Sequence, residues 1–141
     1  MTALPGRILL VEDEPLIARA TARLLHRRLG AEVVVVHDGA VALETVRRDD
    51  GFDGAVVDLQ LPGMNGDRLV SALATIAPHI PCGLWSSSPA LHRVHTAPTA
   101  FRLPKTAPVD QFLEGVRAML LAPTALELRS IEGRGTLPPT E

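Results

Sequence analysis

The side chains best suited to chemistry in this chain are carboxylates, a hydroxyl group and an amine that lie far apart in the sequence. They are Glu12, Asp13 and Glu14 in one acidic run, then Asp58, Ser86 and Lys105. Carboxylates that share a pocket repel each other unless a hard cation with oxygen ligands neutralises them, and Mg²⁺ suits such a site. An ionised Asp58 can then attack phosphorus to form an acyl phosphate. Lys105 and Ser86 would neutralise and hydrogen-bond the phosphoryl oxygens.

Short apolar runs that alternate with helical patterns predict how these side chains are positioned. The predicted strands are residues 7–11, 32–36, 52–58, 81–86 and 100–103. Strands that alternate with helices predict a doubly wound α/β fold with a parallel sheet and right-handed crossovers. Ligands bind beyond the carboxyl ends of such strands, so groups that follow the first, third, fourth and fifth strands should meet at one edge of the sheet.

Three segments of the chain resemble the motifs of response regulator receiver domains, and the resemblance covers about residues 7–121. The segments are residues 8–15, 57–66 and 103–105. Three ordered motifs at compatible spacing are far more specific than any one of them alone. The resemblance implies a flavodoxin-like fold, which is a doubly wound five-stranded parallel sheet with the strand order 2-1-3-4-5.

The resemblance also implies a role for each site residue. Asp58 would be the phosphoacceptor, and Ser86 and Lys105 would assist phosphoryl transfer. The implied Mg²⁺ ligands are Glu12 (directly or through water), Asp13, Asp58 and the backbone carbonyl of Gln60. The implied phosphodonor is a histidine kinase or a phosphotransfer protein. The chain would be a phosphoacceptor that assists only its own phosphorylation and dephosphorylation, and not an enzyme with a separate substrate.

Three features depart from the usual receiver pattern. Arg102 lies where the family has an aromatic residue that reports phosphorylation, and Phe101 should point to the opposite face of its strand. An Arg102 salt bridge is one candidate replacement for the aromatic switch. Thr106 follows Lys105 where the family has proline with a cis bond, so a trans bond or a strained loop is expected. The short run between Ser86 and Lys105 predicts a shortened fourth helix.

Length and composition limit the other functions that the chain can have. Its 141 residues fit one domain, and a net charge of −2 gives no nucleic-acid footprint. We expect a receiver domain over residues 1–121 and a largely flexible tail over 122–141, with no output domain. Cys82 is the only cysteine, and neither a signal peptide nor a membrane span is evident, so a cytoplasmic location is expected.

Two other functional classes compete with a phosphorylation-switched receiver. The departures at Arg102 and Thr106 leave open an adaptor that has the receiver fold and binds a partner protein constitutively. A phosphohydrolase with an aspartyl-phosphate intermediate generally needs a second aspartate two residues after the nucleophile. That position is Gln60, which cannot transfer protons as an acid or base.

Overall fold

A computed structural model describes residues 6–93 and 98–122 of the chain. Its strands are β1 (Arg7–Val11), β2 (Glu32–Val36), β3 (Gly54–Val57), β4 (Cys82–Ser86) and β5 (Phe101–Pro104). Its α-helices are α1 (Pro15–Leu29), α2 (Gly39–Arg48), α3 (Gly66–Ile76) and α4 (Val109–Leu121). The strands pair in parallel in the order β2-β1-β3-β4-β5, which confirms the predicted fold class and strand order.

The sheet is buried on both faces, which explains why its strands are continuous apolar runs instead of alternating ones. On β1, Leu9 and Val11 pack into a core with α2 and α3, whereas Ile8 and Leu10 pack into a second core with α1 and α4. All four of these side chains are almost fully inaccessible to solvent. The central strands are therefore fixed from both sides, and so are the loops at their carboxyl ends.

Local sequence signals set the ends of the helices. Pro15 occupies the first turn of α1, and Gly30 ends this helix with a left-handed φ of 72°. The Asp38 side chain caps α2 by accepting a hydrogen bond from the backbone N–H of Val41. Asn65 caps α3 in the same way, by accepting a hydrogen bond from the backbone N–H of Arg68. These caps place the first turn of each helix next to the carboxyl edge of the sheet.

The strand predictions were wrong at several ends. β3 is shorter than the predicted 52–58, because the Asp53 carboxylate accepts a hydrogen bond from the backbone N–H of Arg7 and Asp58 already belongs to the following loop. β4 begins one residue late, and β5 covers Phe101–Pro104 instead of 100–103. The strand centres, where the apolar signal is strongest, were predicted correctly.

The connection between β4 and β5 differs most from a regular β/α unit. Within the part of this connection that the structure describes, the helical element is a three-residue 3₁₀ turn, Leu91–Arg93. This turn agrees with the prediction that the helix between β4 and β5, the fourth in a regular receiver fold, is shortened. Residues 94–97 lie outside the described ranges. The predicted tail lies outside them as well, from residue 123 onward.

Two further predictions from the departures are confirmed. Residues 6–93 and 98–122 contain no cis peptide bond, so Lys105 and Thr106 are joined in trans. Phe101 packs into the core on the α1 and α4 side, on the opposite face of β5 from Arg102. None of the helices in the described ranges has the length and apolar character needed to cross a bilayer.

Candidate functional site

The register of the central strands places two acidic residues side by side. Val11 and Val57 are paired where β1 and β3 end, so Glu12 and Asp58 leave the sheet at the same level. The Asp58 backbone N–H donates to the Val11 carbonyl at 3.0 Å, which fixes the two strand ends against each other. Both residues are buried, with 2% of the Glu12 residue and 6% of the Asp58 residue exposed.

An acidic cluster forms at this edge of the sheet. Glu12, Asp13 and Asp58 each offer a carboxylate oxygen, and these atoms all lie within 4.8 Å of one another. The backbone N–H of Glu14 donates to Glu12 Oε2 at 3.2 Å, and that of Gln60 donates to Asp58 Oδ1 at 3.1 Å. Asp13 is exposed, so the cluster opens to solvent on its side.

Lys105 joins the cluster from the end of β5. Its backbone N–H donates to the Ser86 carbonyl at 3.0 Å, which continues the pairing of β4 and β5. Its ammonium Nζ lies 2.5 Å from Glu12 Oε1 and 3.0 Å from Asp58 Oδ2. The structure therefore brings together carboxylates and an amine that are separated by up to 93 positions in the sequence.

The protonation of these groups follows from burial and from their partners. Burial raises the pKa of Glu12, and its contacts with Lys105 only partly offset this effect. Burial lowers the pKa of Lys105, but its hydrogen bonds to Glu12 and Asp58 and their negative charges outweigh burial and leave this pKa raised. Lys105 therefore stays protonated at neutral pH, with more negative charge around it than it can neutralise.

The donor set fits a magnesium ion. Three carboxylates and one ammonium leave a net formal charge of −2 in the cluster, which one divalent cation would balance. Opposite oxygen ligands of an octahedral Mg²⁺ are about 4 Å apart, so the carboxylate oxygens need to move little to share one ion. The residues that would hold the ion are Glu12, Asp13 and Asp58. Calcium and zinc are less suited, because Ca²⁺ takes more oxygen ligands and Zn²⁺ prefers nitrogen and sulfur.

Ser86 and Gln60 lie beside the cluster, and their predicted roles stay predictions. Ser86 is fully buried at the end of β4, where its Oγ accepts a hydrogen bond from the backbone N–H of Ser88 at 3.1 Å. Gln60 contacts Asp58 through its own backbone N–H. The residues that the sequence selected thus lie at one edge of the sheet, and Lys105, Glu12 and Asp58 are in direct contact there.

Gly66 supports the site in a way that the sequence pattern did not indicate. Its backbone N–H donates to the Leu59 carbonyl at 2.7 Å. A Cβ at this position would lie less than 3.0 Å from backbone atoms of Asp58 and Leu59, so only glycine allows α3 to begin so close to the phosphoacceptor candidate. Residues 61–66 are rich in turn-forming types, but this composition gives no signal for the close approach.

Trp85 also contacts the site, although its strand position suggested otherwise. Ser86 and Trp85 are adjacent on β4 and point to opposite faces. The end of β5 nevertheless carries Lys105 Nζ over the indole ring, 5.3 Å from the ring centroid. Trp85 stacks on Phe112 of α4, with ring centroids 4.3 Å apart and an interplanar angle of 24°. Among the described residues, no partner accepts a hydrogen bond from its buried Nε1, so apolar packing and ring contacts hold the indole.

Arg102 lies on the other face of β5, near the 3₁₀ turn. Its Nε donates to Thr99 Oγ1 at 3.0 Å, and the side chain is half-buried. A cavity of about 560 Å³ lies between Arg102, Pro104 and the segment around Leu91. The proposed replacement of the aromatic switch by an Arg102 salt bridge stays a prediction.

Comparison with known proteins identifies relatives of this chain. A family model described as the response regulator receiver domain matches residues 8–100. The chain is 40% identical over 74 residues to the sensor protein TorS of Escherichia coli, which covers 52% of this chain and 8% of that protein. It is 49% identical over 61 residues to the transcriptional regulatory protein CutR of Streptomyces coelicolor, which covers 43% of this chain and 27% of that protein. The chain thus spans less than a third of the length of either relative.

Solved structures agree with this comparison. The BeF3-activated N-terminal receiver domain of RstA from Klebsiella pneumoniae superposes with a TM-score of 0.75 and 26% identity. The match covers 83% of this chain and 100% of that domain. A sensor protein from Polaromonas sp. JS666 superposes with a TM-score of 0.73 and 26% identity, over 82% of this chain and 95% of the other.

Proposed function

This chain belongs to the response regulator receiver domain family of two-component systems, and we propose that it accepts a phosphoryl group on Asp58 in a Mg²⁺-dependent reaction. The phosphodonor would be a histidine kinase or a phosphotransfer protein. Phosphorylation would then switch a surface that binds another protein. The observation that supports this proposal best is the contact of one buried ammonium with two buried carboxylates beside the exposed Asp13.

The residues divide the chemistry among them. A bond forms between an Asp58 carboxylate oxygen and phosphorus, and the phosphorus–nitrogen bond of the donor histidine breaks, with its electron pair leaving on the imidazole nitrogen. Bound Mg²⁺ would neutralise charge on the phosphoryl oxygens and on the carboxylates. Lys105 holds a fixed positive charge at Asp58, and the Ser86 hydroxyl supplies a hydrogen-bond donor. Gln60 provides no acid or base, in keeping with a phosphoacceptor and not a phosphohydrolase.

The direct test is a titration with Mg²⁺ and then with beryllofluoride, a phosphoryl mimic. The sole tryptophan, Trp85, lies 5.3 Å from Lys105 Nζ, so its fluorescence should respond when that ammonium moves. Saturable quenching or enhancement is expected with Mg²⁺, and a second saturable change with beryllofluoride only when Mg²⁺ is present. The BeF3-activated form of the RstA receiver supports the choice of this probe.

Two variants make the test specific to the site. Asp58→Asn should abolish both the beryllofluoride response and acid-labile phosphate incorporation from a kinase or a small phosphodonor. Asp110→Asn is the matched control, because this carboxylate lies on α4 with 90% of its side chain exposed. Labelling retained in Asp58→Asn would refute the site. A wild-type chain that shows no saturable response, by fluorescence and by calorimetry, would instead favour the constitutive adaptor.

The domain limits and the tail remain part of this proposal. We propose that residues 1–121 suffice for phosphoryl transfer, since α4 ends at Leu121 and packs on the sheet as the last described element. A chain truncated after residue 121 should bind Mg²⁺ and beryllofluoride as the full chain does. A lower affinity in the truncated chain would show that the tail contributes to the site.

A further inference from the structure

Three of the four aromatic rings in this chain form one continuous array that ends at the candidate site. The chain has one tryptophan, three phenylalanines and no tyrosine. Phe112 stacks on Trp85 and meets the edge of Phe101, whose ring centroid is 6.2 Å away at an interplanar angle of 86°. A protein so poor in aromatic residues has therefore concentrated them on one face of β4 and β5, under α4.

The aromatic array is tightly packed at its Phe101 end. A Cβ at Gly83 would overlap the Phe101 ring, and one at Gly115 would lie 3.3 Å from it, so this ring fills a slot between two glycines. Phe112 is 1% exposed. Trp85 itself stacks on Phe112 and not on Phe101, and Lys105 Nζ lies over the indole ring.

Lys105 is held by two kinds of partner that respond differently when a ligand enters. Glu12 and Asp58 attract its ammonium strongly, but they are the same groups that would bind Mg²⁺ and the phosphoryl group. Once a divalent cation binds, the carboxylates hold the ammonium less strongly, because the cation takes up most of their negative charge and repels the ammonium. The attraction of the indole face for a cation does not depend on the carboxylates and is strongest where water is excluded.

We propose that Trp85 is a positioning residue for Lys105: its indole ring, stacked on Phe112, helps to hold the ammonium in the pocket once Mg²⁺ has taken up most of the charge of the carboxylates, so that Lys105 is in place for the phosphoryl oxygens. The inference rests on the proposed phosphoacceptor function and deepens it. It assigns a role in the site to a side chain on the face of the sheet opposite to Ser86. Because Phe112 belongs to α4 and stacks on Trp85, α4 would also help to position Lys105.

The test compares variants of the full 141-residue chain. Trp85→Leu removes the π-face but keeps an apolar side chain, and Trp85→Phe keeps a ring with a weaker attraction for cations. Phe101→Leu is the matched control, because it removes a ring from the same array without touching Lys105. Ligand binding in the variants without Trp85 is followed by calorimetry, and thermal unfolding confirms that each variant folds.

We expect the loss of the indole to change the beryllofluoride affinity and the Mg²⁺ affinity differently. In Trp85→Leu, beryllofluoride should bind the Mg²⁺-loaded protein on the order of three- to thirtyfold more weakly, which is the range of a cation–π contact in a partly to fully desolvated site. Mg²⁺ alone should bind with unchanged or slightly higher affinity, because a looser Lys105 competes less for the carboxylates. Trp85→Phe should lie between the wild type and Trp85→Leu, and Phe101→Leu should stay within about twofold of the wild type. General loosening of the fold would weaken both affinities together.

A double-mutant cycle shows whether Trp85 acts through Lys105. In a Lys105→Met background, Trp85→Leu should cause no further loss of beryllofluoride affinity. Equal losses in the two backgrounds would overturn the proposal, because Trp85 would then act on the site without Lys105. A loss in Phe101→Leu as large as that in Trp85→Leu would overturn it too.

A third measurement does not depend on the proposed function. Lys105 is the only lysine in the chain, so protein labelled with ¹³C-lysine gives a single Cε–Hε signal. The ring current of Trp85 should shift this signal upfield, and Trp85→Leu should move it downfield toward the value of a free lysine, whereas Phe101→Leu should leave it in place. An unmoved signal in Trp85→Leu would refute the positioning role. If the signal moves as expected but the wild type fails to bind beryllofluoride, the proposed function is wrong and the contact of Trp85 with Lys105 still stands.

Discussion

The two edges of the sheet carry similar charges in different surroundings. At the carboxyl edge, Lys105 contacts Glu12 and Asp58, and the three side chains are 14%, 2% and 7% exposed. At the amino edge, Arg7 contacts Glu32 and Asp49, and the side chains are 30%, 70% and 52% exposed. Each cation also lies near an aromatic ring, Lys105 near Trp85 and Arg7 near Phe52.

The difference between the edges is burial and not composition. Exposed ion pairs gain little because water and salt screen them, so the amino-edge cluster mainly ties strand ends together. Buried carboxylates with one ammonium are costly unless each charge keeps its partners. The buried cluster around Lys105 is therefore the one suited to chemistry. The exposed cluster around Arg7 is an ordinary surface contact.

The largest expected effect comes from removing the cation at each edge. Lys105→Met leaves two buried carboxylates without their counter-ion and should lower the free energy of unfolding by about 2–3 kcal/mol with a chelator present, somewhat below the range for a fully buried pair. Arg7→Met should cost less, because its partners are exposed. Urea titration of both variants measures this difference. Equal losses would show that burial does not separate the edges.

A second comparison uses glycines at the two edges. Gly66→Ala should cost about 1–3 kcal/mol, because the new methyl group overlaps backbone atoms of Asp58 and Leu59 that cannot yield easily. Gly54→Ala should cost less, because its methyl group meets the terminal methyl of Met119, which is flexible. Gly66→Ala should also weaken Mg²⁺ binding, as seen by calorimetry, and Gly54→Ala should not. A normal Mg²⁺ affinity in Gly66→Ala would contradict the close approach of α3 to the site.

The edges should also respond to pH in opposite directions. Burial raises the pKa of Glu12 above its ordinary value of 4.5, so its unfolded form ionises first and its contribution to stability is lost as pH rises above about 4.5. The hydrogen bond from the Gly51 backbone, followed by that from Arg7, lowers the pKa of Asp49 below 3.8. Its contribution is therefore present above that pH and is lost as pH falls below it.

Variants make these opposite slopes measurable in metal-free buffer. As pH rises above about 4.5, Glu12→Gln should become more stable relative to the wild type. Asp49→Asn should lose stability relative to the wild type as pH rises through the ordinary pKa of 3.8 and then stay level. Thermal unfolding at a series of pH values records both differences, and parallel curves for the two variants would contradict the assigned directions.

The smallest expected effect concerns a buried group without a charged partner. Burial raises the pKa of the Cys82 thiol, at the amino end of β4, to about 12. The native protein should therefore show no measurable reaction with a thiol reagent such as Ellman's reagent at pH 8, whereas the unfolded protein should react fully. Rapid reaction of the native protein would show that the amino end of β4 opens to solvent.

The fold and most of the site were predictable from the sequence because both depend on short, regular signals. Continuous apolar runs such as residues 7–11 require a strand covered on both faces, and their alternation with helices leaves few topologies. Once the sheet is parallel, Asp58 and Lys105 must leave it at the same edge. The start of β3 was missed because Phe52 and Asp53 continue the strand pattern in sequence, whereas the Asp53 side chain, and not a strand carbonyl, accepts the hydrogen bond from the Arg7 backbone N–H.

The contact between Trp85 and Lys105 was not predictable in the same way. Strand alternation places Trp85 on the face opposite to Ser86, which points away from the predicted pocket. The path of the loop after β5 decides where the Lys105 side chain ends, and that path depends on packing among residues that are distant in sequence. The close approach of Gly66 to Asp58 was not predictable for the same reason. A glycine in a turn-rich segment does not indicate which part of the backbone will lie against it.

Lys105 being the only lysine has a practical consequence for finding partners of this chain. The other basic side chains, His aside, are arginines, which amine-directed crosslinkers do not modify. Such a reagent can therefore join the protein to a partner only through its amino terminus or through the pocket beside Asp58. Because Lys105 is buried and protonated in its ion pairs, a crosslinked product through Lys105 would show that a partner or ligand has drawn its ammonium away from Glu12 and Asp58.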